Sequence, residues 1–209
     1  MALGASGSDE VRLALRDGST VVVRQITAGD REGVRRGFER LSEQSRYQRF
    51  LTGIGELSDS QLAYLTEVDH HDHEALIAYE ADGGTTGVGV ARFVRLADGV
   101  SAEAAVTVVD DWQGRGLGTA LCTLLAERAR EEDVERFTAL LLASNEQMLD
   151  VLAALGPVRT VSRESGMVEV EVELPRAGIG EQMAGVLRVA AGGTVELATP
   201  PWGLRQTPS

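Results

Sequence analysis

The chain has 209 residues, 43% hydrophobic and 25% charged, which suits a soluble protein with one well-cored domain and an appendage. A formal net charge of −12 lacks the basic footprint of a nucleic-acid binder, and no stretch approaches the ~18 apolar residues of a membrane span. A single cysteine excludes an internal disulfide, and Met1 to Glu10 show no basic-then-apolar leader, so a cytoplasmic protein is expected.

Residues 1–10 are small and polar and are expected to form a flexible N-terminus. Strands are predicted at Val11–Leu15 and Thr20–Ile26, around the turn signal Asp17-Gly18. Helical spacing follows over Asp30–Leu41, with Val34, Phe38 and Leu41 on one side and Gly33 and Gly37 weakening it. A second helical patch, Glu43–Leu51, places Tyr47 and Phe50 among arginines, and both rings are expected in the core. Ser58 caps a third helix, Asp59–Val68. Strands are then predicted at Glu74–Tyr79, Gly87–Leu96 and Ala102–Val109, between the turn clusters Asp82-Gly83-Gly84 and Asp98-Gly99. A helix over 117–131, a strand near 136–142, a helix Asn145–Leu155 and strands near 158–163 and 167–174 complete the series. The order implies an α/β fold with a central mixed sheet and helices on both faces. Pro175 closes the domain. The extension 176–209 carries an apolar stripe over Glu181–Ala191 and a short strand Thr194–Ala198, expected to pack on the sheet or on a second copy as a homodimer contact.

The densest chemical signal is Gln113-Gly114-Arg115-Gly116-Leu117-Gly118, between the valine strand and the leucine-rich helix. The first N–H groups of a helix lack internal partners, and glycines let a phosphate approach them, so this junction is an anion site. A dinucleotide fold would want a carboxylate at the tip of the next strand, where Leu142-Ala143-Ser144 stand instead. A nucleoside-triphosphate loop needs a lysine, and all 20 basic side chains here are arginine.

The spacing Gln113-x-x-Gly116-x-Gly118, the strand before it and the later Asn145-x-x-Met148 resemble the Gcn5-related N-acetyltransferase (GNAT) family, from about Thr20 to Leu174. The resemblance implies a largely antiparallel GNAT sheet across 11–175 and acetyl-CoA as co-substrate, with no metal. It further implies that the backbone of Gly114, Arg115, Gly116, Leu117, Gly118 and Thr119, beside Gln113, holds the coenzyme pyrophosphate. Asn145 would contact the coenzyme, and Val106, Thr107 and Val108 would pair with its pantetheine arm. Leu41-Ser42-x-x-Ser45-Arg46-Tyr47-x-Arg49-Phe50, Leu65-Thr66-x-Val68-Asp69 and Ala102-Glu103 are most similar to bacterial Pat-type protein lysine acetyltransferases. That likeness implies a protein acceptor with an exposed lysine, an acyl-CoA synthetase above all. Some Pat-type enzymes carry a cyclic-nucleotide domain; the residues before Val11 leave no room for one, so such control is not expected.

Glu103 shares a strand face with Ala105 and Thr107, while Ala104, Val106 and Val108 share the other. Its place before the coenzyme strand matches the general base of the Pat type. A lysine amine of pKa ~10.4 costs roughly 4–5 kcal/mol to deprotonate at pH 7, and a carboxylate near ~4.3 is a weak base for that step. Partial burial of Glu103 is therefore expected, with a water relay. The family often has a tyrosine seven residues after the motif asparagine to protonate the leaving thiolate; here that position is Leu152.

Other features have plainer readings. His70-His71-Asp72-His73 lacks a second ligand cluster, so the histidines are expected hydrogen-bonded or solvated at the cleft mouth. Arg35, Arg36, Arg40, Arg46 and Arg49 could grip the coenzyme 3′-phosphate or simply solvate helix faces. Cys122 is expected to be a buried, inert thiol and Trp112 a buried anchor for the glycine turn. A small-amine acetyltransferase and a non-catalytic acyl-CoA-binding module are the alternatives.

Overall fold

Alternating β-branched runs and turn glycines produce strands β1 Val11–Ala14, β2 Thr20–Gln25, β3 His73–Glu80, β4 Gly87–Arg95 and β5 Ser101–Val108. They continue with β6 Arg136–Leu142, β7 Val158–Glu164 and β8 Met167–Glu173. The helices are α1 Arg31–Glu39, α2 Glu43–Phe50, α3 Asp59–Thr66, α4 Leu117–Glu131 and α5 Glu146–Ala153. The computed structural model describes residues 10–174. The expected flexible N-terminus and the tail elements at Glu181–Ala191 and Thr194–Ala198 lie outside the described residues. The eight strands form one sheet in the order β1-β2-β3-β4-β5-β6-β8-β7. Every pairing is antiparallel except β5 with β6, as the mixed, largely antiparallel sheet requires.

Cross-strand register sorts the side chains into two faces. On one, the rows His73–Val94–Glu103, Ala75–Arg92–Ala105 and Ile77–Val90–Thr107 lie under α1, α2 and α3. On the other, Leu76–Ala91–Val106 and Ala78–Gly89–Val108 meet α4. Gly89 makes room there, since a Cβ would sit 2.8 Å from Leu121 Cδ1. The core is continuous across that second face, from Leu13 and Val21 through Phe93, Leu121 and Leu125 to Phe137 and Val170.

Helix α1 explains its own glycines. A Cβ on Gly33 would collide with the Tyr79 hydroxyl, and one on Gly37 with the Gly87 carbonyl. Propensity alone counts both as weaknesses; packing makes them the reason the helix can lie so close to the sheet. Asp30, at the start of α1, ties it to β2 and β3 by accepting from Arg24 and from the Tyr79 hydroxyl. Burial pushes its carboxyl upward, but those bonds and Thr27 outweigh it and hold the pKa at about 2. Ser58 caps α3 with a complete capping box closed by Gln61.

Candidate active site

Strands β5 and β6 stay paired for three residues only, Ser101–Arg136 to Glu103–Thr138. Beyond Glu103 they diverge, and one edge of β5 is left open. Val109 N–H donates to the Val88 carbonyl at 3.0 Å, so strand alternation turns the backbone groups of Thr107 and Ala105 toward β4 as well. The groups of Val106 and Val108 then face the open edge. Gln113 Nε2 marks that edge by donating to the Val108 carbonyl at 3.0 Å. Of the three residues expected to pair with a pantetheine arm, Thr107 thus presents its backbone to β4 instead, because adjacent residues of a strand point their amides in opposite directions.

The glycine turn follows directly. Gly114 has φ +73° and Gly116, the N-cap of α4, φ +91°, a region that favours glycine. No side chain caps the helix, so its first amides, from Leu117 through Thr119, are unspent by a cap. Leu117 itself is buried and offers only backbone. Trp112 is buried beneath the turn, with the Arg115 guanidinium 4.6 Å above its ring centre.

Sequence reasoning missed Arg16. The β1–β2 turn docks on the glycine turn through Arg16 N–H to the Arg115 carbonyl at 3.1 Å and an Asp17–Arg115 ion pair of 2.9 Å. Arg16 lines an open recess of about 610 Å³ with Gly114, Gly116, Gly118 and Thr119. None of Arg35, Arg36, Arg40, Arg46 and Arg49, read as either phosphate contacts or solvated helix faces, lines it. Arg35 and Arg36 pair with Glu32, Arg40 with Asp111, and Arg46 donates to the carbonyls of Gly55 and Glu39. Only the Asp17-Gly18 hairpin signal hinted at the turn, and nothing local says that it meets residues a hundred positions later.

A second recess, about 270 Å³, runs along the open edge past Ala105, Val106, Gln113, Leu141, Asn145 and Met148. Asn145 is half-buried there and caps α5, its side chain accepting from Met148 N–H at 3.2 Å. At its far end the groove widens into a third recess of about 350 Å³, lined by Arg49, Phe50, Tyr64, Arg92 and Ala105. Glu103 lines both. Its side chain is exposed, not partly buried: β6 turns away after Thr138, and no element lies over it.

Other expectations resolve simply. Phe50 packs edge-on against Phe38 at 5.8 Å, but Tyr47 is 49% exposed, since α2 turns that position to solvent. Leu152 is fully buried and lines none of the three recesses, so a side chain at this position belongs to the core. Cys122 is buried, and burial pushes its thiol up to about 12. His70 bonds Glu74, His71 Glu132 and His73 Arg92. Among the described residues no group of three metal-ligating side chains is assembled, and no helix is long and apolar enough to cross a membrane.

A split between two parallel strands, a glycine-capped helix at its mouth and a carboxylate at its base coincide with a family match. Residues 39–156 match the acetyltransferase (GNAT) family. The chain belongs to that family. It is similar to an acetyltransferase of Pseudomonas aeruginosa, 35% identical over 68% of this chain and 77% of the relative. It is 34% identical to the acetyltransferase Pat of Mycolicibacterium smegmatis over 79% of this chain and 49% of that protein, and so spans about half that relative's length. Among solved structures, the GNAT domain of S. lividans PAT superposes with a TM-score of 0.73 at 33% identity, covering 83% of this chain and all of that one. The chain is an acetyl-CoA-dependent N-acetyltransferase of Pat-like type.

Proposed function

We propose that this GNAT acetyltransferase transfers acetyl to a lysine side chain of another protein, an acyl-CoA synthetase being the favoured target. The likeness to Pat enzymes supports a protein acceptor, and the open third recess suits a lysine presented on a protein loop. Polyamines fit poorly, because Arg49 and Arg92 would repel them there.

The observation that carries the mechanism is the position of Glu103, where the acceptor recess opens onto the free edge of β5. Acetyl-CoA would lie with its diphosphate on the amides of residues 114–119, beside Arg16 and Gln113. Its pantetheine arm would run along Val106 and Val108, past Asn145. The lysine ammonium gives a proton to Glu103 through water, and the free amine attacks the thioester carbonyl, forming the C–N bond. The oxyanion accepts from Val106 N–H, then collapses, breaking the C–S bond. As the amide forms, the nitrogen sheds its second proton to water, and coenzyme A, leaving as a thiolate of pKa near ~8.5, takes that proton up through water, so Leu152 need not supply one. Exposure of Glu103 in the free enzyme is consistent with the base being desolvated by the acceptor itself.

Glu103→Gln tests this. Turnover should fall about 10²- to 10⁴-fold, while the acetyl-CoA dissociation constant by calorimetry stays within twofold. Full turnover in the variant would remove Glu103 from the mechanism. An inactive parent that still binds acetyl-CoA would favour a binding module.

A further inference from the structure

Arg92 sits at the centre of β4, 5% exposed, diagonal to Glu103 on the same sheet face. Its Nη2 donates to His73 Nε2 and, at 3.4 and 3.5 Å, toward the Tyr64 and Leu65 carbonyls at the end of α3. Its Nε and Nη1 are buried with no hydrogen-bond partner among the described residues. His73 supplies no negative charge. Burial first, and then Arg92 itself, bring its pKa down to about 4, so it is a neutral acceptor. Arg49, half-buried on α2, lines the same recess and stacks 4.9 Å from the Phe50 ring centre.

Neither arginine forms an ion pair among the described residues, and both also border a narrow apolar cleft of about 60 Å³ behind the recess. Burial, with the Arg49 charge second, lowers Arg92 to about 10. Two like charges held together beside apolar walls, one with unspent donors, are unfavourable unless an anion joins them. Glu103 is the one carboxylate lining these recesses among the described residues; its charge favours the Arg49 guanidinium without forming an ion pair to either arginine, and the reaction needs it for the proton.

We infer that Arg92 and Arg49 form a carboxylate-recognition subsite in the acceptor recess. The lysine acetylated by this enzyme is then accompanied by an acidic group, the side chain of a neighbouring Asp or Glu, that docks on the two guanidiniums while the amine reaches Glu103. The inference rests on the acetyl-transfer reading and adds a substrate class to it. Guanidinium donors suit a carboxylate in charge-assisted hydrogen bonds, and the burial of Arg92 strengthens them.

Paired lysine peptides, identical except for Glu or Gln beside the lysine, supply the test. The parent should acetylate the Glu peptide with a kcat/KM at least about tenfold higher, carried mainly by KM, and Arg49→Gln should bring the ratio close to one. Free lysine against lysinamide forms a second arm. A preference there alone would retain the subsite and name a free amino-acid carboxylate as its source. Equal rates within both pairs would overturn the inference. A third measurement is independent of turnover: glutarate, but not glutaramide, should shift the buried arginine Nε–H resonance saturably. Absence of that shift sinks the subsite even if Glu103 proves to be the base, and its presence supports it even if Glu103 does not.

Discussion

Arg16 shows how one side chain can matter through where a turn is docked. It is exposed and lies against Gly116, where an added Cβ would come within 3.3 Å of its Nε. No carboxylate pairs with it among the described residues, so its charge is free to meet a diphosphate laid on the α4 amides. Arg16→Ala should raise the dissociation constant for acetyl-CoA about three- to tenfold, with less loss in Arg16→Lys and a shallower dependence on salt. Calorimetry at two ionic strengths reads this directly; unchanged affinity would mean that the amides alone hold the phosphates. Gly116→Ala is a different perturbation, because φ +91° strains any side chain whatever its charge.

At the scale of elements, α1 sets the distance between helix layer and sheet. Gly37→Ala in an exposed helix would gain about 1 kcal/mol from propensity. Here the new methyl meets the backbone carbonyl of Gly87, which cannot rotate away as a side chain would. Overpacking should reverse the sign, costing about 1–3 kcal/mol and lowering Tm by several degrees in a thermal melt. The same contact marks the limit of reading a sequence locally. Strand and helix bounds were legible within a residue or two where periodicity was strong, as in α4 and β6, because a 3.6- or 2-residue repeat reports the buried face by itself. The glycine turn was legible too, since a sharp junction between a strand and a helix needs the positive φ that Gly114 and Gly116 adopt. What could not be read depends on partners far along the chain. Gly33 and Gly37 answer to Tyr79 and Gly87, Arg16 to Arg115, and the exposure of Glu103 to the departure of β6 after Thr138. Tyr47 was misjudged because a helix of eight residues, about two turns, offers too few apolar positions to decide which side faces inward.

For the molecule as a whole, the split sheet makes one groove with two mouths, the glycine turn at one and the recess of Arg49, Arg92 and Tyr64 at the other. A donor and an acceptor entering from opposite ends can be bound together, so direct transfer needs no acyl-enzyme. The one thiol cannot serve as a relay: Cys122 lies on the α4 face of the core, and burial keeps it protonated far above neutral pH. Initial-rate plots with both substrates varied should therefore intersect, where parallel lines would reveal a ping-pong route. The composition adds a control. With no lysine anywhere in its 209 residues, the chain has no side-chain amine to modify. Prolonged incubation with acetyl-CoA alone should leave the intact mass unchanged except at the N-terminal amine. A further acetyl adduct that disappears when acceptor is added would establish a covalent intermediate, and direct attack of the amine would have to be abandoned.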